Sequence, residues 1–375
     1  RLALGAFDFL RGGRPDRVDV EVFNPDEDAE GWFAPVTVIR TNVSERPFIV
    51  DTIREYLHAQ GLPIEHNVYP VIDVKRDASG EVVGVGPSLE GRSRESLVHC
   101  EVPLITDTER LEELEAEIRS RLEDVVAATE DFHPMIDAVN DTVIELAETA
   151  KVIESRRDEF EEAQAFLRWL RDGAFVFLGY REYRIEDGAR GRQVRVDPES
   201  GLGILRDPGE STFADPVPLE ELPQGIRELA EGGPILIISK TNAESTVHRR
   251  ARMDYIGVKT VDEDGRISGE RRFIGLFTSK AYGEPAEAIP ILREKLQRIL
   301  ASAGVQEGSH DYKEINTIFN SMPKEELLLA SADEIAVDIQ TILTSYNTEG
   351  VRVSIRPDPL ARGSSVMVIL PKERF

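Results

Sequence analysis

Apolar and polar residues alternate most regularly over residues 252–278, where Tyr255, Gly257 and Lys259 interleave with Ile256, Val258 and Thr260. Ile267, Phe273, Ile274, Leu276 and Phe277 then follow the Asp264-Gly265 pair. Two such runs around Asp-Gly predict a β-hairpin, because Asp-Gly readily adopts the positive φ angles of a tight turn. Helical periodicity flanks the hairpin on both sides, and amphipathic helices need an apolar sheet face to cover. The pattern predicts an α+β fold of antiparallel sheets covered by helices on one face.

Residues 1–34 read as a lead-in, with a short helix over 2–10 and a strand at VDVEVF, 18–23. PVTVIRTNV then predicts a strand, TNVSERP a turn, and the stripe Ile49, Ile53 and Leu57 a helix that starts near Pro47 or Phe48 and stops at Gly61. Strands at IEHNVYPVIDVKRD, EVVGVG and ESLVHCEVPLI precede a helix bearing Leu111, Leu114, Ile118, Leu122 and Val125. Residues 35–128 thus form a first domain and 129–172 a helical connector. A second sheet domain spans 173–283, and a second connector, 284–347, carries Ile335, Ile339, Ile342 and Tyr346 on one stripe. VRVSIRPD and SSVMVILPKERF, within 348–375, read as the first hairpin of a further domain. That unfinished hairpin, and an Arg at position 1, are expected of a piece of a longer polypeptide.

Charge narrows the partners. Against 45 Lys plus Arg stand 70 Asp plus Glu, a net charge of −25, whereas nucleic-acid and anionic-membrane binding need clustered cations. Neither is expected as a partner. Residues 106–165 hold 19 acidic and 6 basic side chains, which reads as a solvated helix face. Cys100 is the single cysteine; its place in an alternating strand predicts a small buried hydrophobe, and the lack of a disulfide partner points to a cytoplasmic setting.

Candidate chemistry is sparse. Gly84 with Gly86 and Gly201 with Gly203 lack the third glycine of a dinucleotide fingerprint, and the six histidines show no HExxH spacing, so neither a cofactor nor a metal is expected here. No catalytic residue is assigned. Two polar segments stand out. In the turn after the first long strand, Asn42, Ser44 and Arg46 surround a helix start whose free N–H groups attract carboxylates, a candidate effector site. In SKTNAESTVHR, residues 239–249, Lys240, Asn242, Ser245, Thr246, His248 and Arg249 crowd eleven positions, which suits an interdomain joint or a ligand loop.

RPFIVDTIREYLHAQGLPI, FLRWLRDGAFVFLGYREY, SKTNAESTVHR, MDYIGVK, GERRFIGLFTS, GSHDYKEINTIFNSMPKEEL and RPDPLARGSSVMVILPKERF occur in an order that resembles the N-terminal region of the large bacterial NAD-specific glutamate dehydrogenases. The resemblance implies an ACT-like, ferredoxin-like first domain, an ACT- or PAS-like second domain and the start of another ACT-like domain. It also implies a regulatory and assembly region, catalytically silent alone, whose parent oxidises glutamate with NAD bound in a downstream catalytic domain. The implied partners are that catalytic domain, further copies of the chain in a homo-oligomer and an amino-acid effector. The alternatives are an allosteric amino-acid sensor and a ligand-free interdomain scaffold. Glu45-Arg46 stands where amino-acid-binding ACT domains often carry glycine.

Overall fold

A computed structural model describes residues 2–13, 17–28, 30–87, 90–345, 350–357 and 364–370. Tyr346 and parts of the closing hairpin, 358–363 and 371–375, lie outside them. The chain forms two compact units, one of residues 1–130 with 244–251, the other of 131–243 with 252–375.

The first unit contains α1 (Leu2–Gly12), β1 (Asp19–Phe23), β2 (Val36–Ser44), α2 (Ile49–Ala59), β3 (His66–Val68), β4 (Val71–Arg76), β5 (Val82–Val85), β6 (Ser93–Pro103) and α3 (Thr108–Glu130). Its sheet runs β1-β2-β6-β4-β5, with β3 also on β6. Both β2 and β4 are antiparallel to β6 between them, so β2, α2 and β4 make the split crossover of a ferredoxin-like sheet. The edge beside β2, which a strand after α3 would fill in that topology, is taken by β1, antiparallel from Asp19↔Asn42 to Phe23↔Val38. The sheet thus reaches into residues 1–34, which patterning alone sets apart. Ile39, Val43, Val98 and Val102 line one sheet face, while Ile53 and Leu57 of α2 and Leu114 and Ile118 of α3 supply the buried helix stripes.

The second unit begins with α4 (Phe132–Val152) and α5 (Arg157–Trp169), followed by β7 (Phe175–Gly188), β8 (Gly191–Val196), β9 (Leu202–Gly203), β10 (Val217–Pro218), α6 (Gln224–Glu231) and β11 (Leu236–Glu244). Then come β12 (Arg252–Val261), β13 (Ile267–Phe277), α7 (Ser279–Gly283), α8 (Leu292–Ser302), α9 (His310–Ser321), α10 (Lys324–Leu329), α11 (Ala332–Ser345), β14 (Arg352–Pro357) and β15 (Ser364–Ile369). The large sheet runs β10-β8-β7-β13-β12-β11. Hairpins join β7 to β8 and β12 to β13, and a long connection leads from β8 to β11. Among the described residues, this hairpin, connection and meander contain no split crossover of the kind that β2, α2 and β4 make. Gly265 takes the φ of +79° that the hairpin turn demands, and Asp262 Oδ1 accepts the N–H groups of Asp264 and Arg266. Close packing uses Gly275, where a Cβ would meet the Val176 carbonyl at 2.0 Å.

Helices α4, α5, α8, α9 and α11 share one core with this sheet, in which Phe160, Phe166, Phe273 and Phe319 are completely buried. Phe273 stands edge-on to Phe177 at 5.9 Å, a favoured ring geometry. Replacing Phe160, which is 0% exposed, by alanine is expected to cost about 3–5 kcal/mol. Urea unfolding checks this, and a loss below about 1 kcal/mol would contradict the burial.

Candidate functional site

Strand alternation puts Arg40, Asn42, Glu95, His99 and Arg76 on the sheet face opposite Ile39 and Val98, since residues paired across strands share a face. These side chains are buried, not solvated. Arg76, 5% exposed, meets Glu95, 0% exposed, in a bidentate pair, Nε to Oε1 and Nη2 to Oε2 both at 2.8 Å. Its remaining N–H groups donate to the carbonyls of Leu10, Gly13 and Gly80. Asn42 Nδ2 donates to Glu95 Oε2 at 2.7 Å. Burial alone would push the Glu95 carboxyl upward, but Arg76, Asn42 and Ser93 outweigh it and hold it below its ordinary value. Beside this cluster, Arg40 pairs with Glu21 at 2.8 Å and stacks over Phe23 at 4.7 Å.

The turn residues therefore do not converge. Asn42 belongs to the buried cluster, and the Ser44 carbonyl accepts a bond from Arg46 Nε at 3.0 Å. Arg46 turns to the far end of α3, where Nη1 donates to the Val126 carbonyl at 3.3 Å and to Thr129 Oγ1 at 3.2 Å. A cation there satisfies orphan carbonyls and the negative helix end. Helix α2 starts after Phe48, whose φ is +76°, without a side-chain cap.

The polar loop divides. Lys240 on β11 reaches Asp254 at 2.7 Å and Glu325; burial opposes its charge, yet the two carboxylates outweigh that and raise its pKa. Asn242 is exposed. Residues 244–251 fold with the first unit. There Ser245 Oγ closes a local turn by accepting the Val247 N–H at 3.1 Å, and Thr246 Oγ1 donates to Asp124 Oδ2 at 2.6 Å. The His248 N–H donates to Thr52 Oγ1 at 2.9 Å, and its ring lies 4.9 Å from that of Phe48. Asp51 stands 3.5 Å from His248 Nδ1. Arg249 lines a cavity beside α2. The two polar segments, separate in the sequence, thus meet at the start of α2 through Phe48 and His248.

Sequence reasoning passed over Arg76, Glu95, Arg40 and Arg121, because nothing local marks a charged residue for burial; alternation of Glu95 with Ser96 and Leu97 was the available signal. It also passed over His310, Asp311 and Glu314 on α9, whose ligand atoms lie within 4.8 Å of one another. His310 and Asp311 are exposed there, a solvated surface. At the second GxG pair, the Gly203 N–H donates to Asp131 Oδ2 at 2.7 Å, a position a phosphate oxygen would need.

With this geometry, residues 1–118 match the family model for the glutamate dehydrogenase ACT1 domain, and residues 289–347 match glutamate dehydrogenase helical motif 1. The chain is thus an α+β protein built on an ACT1 domain. The NAD-specific glutamate dehydrogenase of Pseudomonas aeruginosa is 30% identical over 376 residues, covering 99% of this chain and 23% of that protein. That of Halomonas elongata is 31% identical, with the same coverage, and that of Mycobacterium tuberculosis is 26% identical over 330 residues, 87% of this chain and 19% of its own length. The chain is similar to these NAD-specific glutamate dehydrogenases over 99% of its own length and spans less than a quarter of theirs.

Two outcomes follow from the buried groups. Because the Glu95 pKa is lowered on folding, its contribution is present above the ordinary carboxyl range and is lost as pH falls through the folded value. Glu95→Gln, which strands Arg76, is expected to cost about 3–5 kcal/mol near neutral pH and to flatten the acid limb of stability, as urea titrations across pH would register. Cys100 is 1% exposed, and burial pushes its thiol up to about 12. It should resist a thiol-disulfide reagent at neutral pH until the chain unfolds; rapid labelling of the native chain would contradict its placement.

Proposed function

We propose that this chain is a regulatory and assembly region of an NAD-dependent glutamate dehydrogenase and is catalytically silent by itself. The parent enzyme then converts L-glutamate, NAD and water into 2-oxoglutarate, ammonia and NADH, with NAD held by a catalytic domain elsewhere in the polypeptide. The observation that carries this reading is the combination of the ACT1 and helical-motif matches with the commitment of the polar clusters to packing. Arg76 spends all five of its N–H groups inside the first unit, where Glu95, Asn42 and Arg46 also make their bonds. A cytoplasmic enzyme suits a chain whose single cysteine is buried and free.

At the turn after β2, Asn42 is 1% exposed and Arg46 is turned to α3, which favours the loop of residues 244–250 over that turn as the place for an amino-acid effector.

The isolated chain should produce no NADH from glutamate and NAD, while a parent enzyme lacking it should lose its native subunit number in light scattering or its response to amino-acid effectors. NADH formation by the chain alone would overturn the silent role. A truncated parent with an unchanged number of subunits and an unchanged effector response would overturn the regulatory and assembly role.

A further inference from the structure

The large sheet ends in two unlike edges. At one end β10 is two residues long, which blunts it, whereas β11 at the other runs for nine. The Ile235 carbonyl accepts the Lys259 N–H of β12 at 2.9 Å, so the trans peptide points the Leu236 N–H the opposite way. Ile235, Ile237 and Ser239 are buried and alternate with half-buried Leu236 and Ile238, the mark of a strand without a bulge. Ile238 therefore turns its N–H and C=O outward as Leu236 does. Among the described residues, no strand pairs with that side. Exposed edges are ordinarily guarded by lysine, proline or a bulge. The one lysine of β11, Lys240, is instead drawn to Asp254 and Glu325.

Along residues 236–239 this edge opens on a cavity of about 560 Å³ within the second unit, inside the roughly 300–1,000 Å³ range of ligand sites. Leu229 of α6, Ile291 ahead of α8, and Leu328 and Leu329 of α10 give it apolar walls. Ile291 holds a φ of +72°, which β-branched residues avoid. Glu162 keeps the strained turn in place, since Oε1 accepts the Ile291 N–H at 2.6 Å while the carboxylate pairs with Arg293 at 2.8 Å. Strain of this kind gathers at ligand clamps.

Outward backbone groups beside apolar walls match an extended peptide, whose own backbone continues the ladder while alternate side chains meet the walls. Charge selects among peptides. Glu159, Glu162, Glu294 and Glu334 line the cavity against Lys295 and Arg298. Lys295 gives its three N–H groups to the carbonyls of Leu327, Leu328 and Ala330, and Arg298 is bound to Glu294, so an anion gains little from either. A negative wall in a chain of net charge −25 favours basic side chains and disfavours a second copy of the chain, which would bring a like-charged wall. We propose that β11 takes up an extended peptide of alternating apolar and basic residues as an added strand.

Fluorescence anisotropy of the whole chain with a labelled, end-blocked hexapeptide that alternates valine and lysine tests this. Saturable binding with Kd below about 1 mM is expected. It should be at least about tenfold tighter than binding of the valine–glutamate counterpart, or of the fully N-methylated peptide, which keeps the charge and loses the ladder. Ile238→Pro removes one outward N–H at an edge position that tolerates proline. It should weaken binding at least about tenfold in a chain that melts as the unsubstituted one does. No saturation by about 1 mM, equal affinity for the N-methylated or the glutamate peptide, or unchanged affinity in a folded Ile238→Pro chain overturns the proposal. A chain that sediments as a dimer and that Ile238→Pro turns into a monomer also overturns it, because a second copy then occupies the edge.

Discussion

Arg76 makes five hydrogen bonds inside the first unit, one for each N–H that a guanidinium owns. Two go to Glu95 on β6, two to carbonyls at the end of α1 and beyond it, and one to the Gly80 carbonyl between β4 and β5. This one side chain ties the register of two strands to the position of a helix. A buried ion pair is a poor source of net stability, because desolvation consumes much of the attraction. Its value lies in what it forbids: sliding β4 by one residue would carry Arg76 to the other sheet face and leave Glu95 buried without its cation.

The large sheet meets the same problem with aromatic rings. Arg272 is sandwiched between Tyr183 at 4.0 Å and Tyr255 at 4.8 Å, with Glu270 at 3.2 Å. Gly257 lies directly across from it on β12 and has no side chain to compete for the space. Both units therefore turn an apolar sheet face to helices and keep an arginine-centred polar face as well. Arginines used in this way fix structure and are withdrawn from chemistry, which suits a region that accompanies a catalytic domain.

Local pattern made much of this fold legible. The Asp264-Gly265 turn and the stripe Ile49, Ile53 and Leu57 are both short-range signals, and each stands where the pattern put it. VDVEVF was legible as a strand but not as part of the first sheet, because pairing β1 with β2 spans a loop whose length carries no register. The candidate site was legible only in composition. The crowding of polar residues over 239–249 marked the loop, yet its division at Glu244 depends on contacts with Asp124, Thr52 and Phe48 more than a hundred positions away. Arg76 and Glu95 look like ordinary surface charges until the sheet closes around them.

Residues 244–251 leave the strand order of the large sheet after β11, fold with the first unit, and return as β12. The first unit is consequently discontinuous in the polypeptide. Severing the chain after Glu130 would remove the peptide that hydrogen-bonds Thr52 and Asp124, which lies more than a hundred positions further along. During synthesis on the ribosome, Thr52 on α2 and Asp124 on α3 therefore emerge well before the peptide that bonds them.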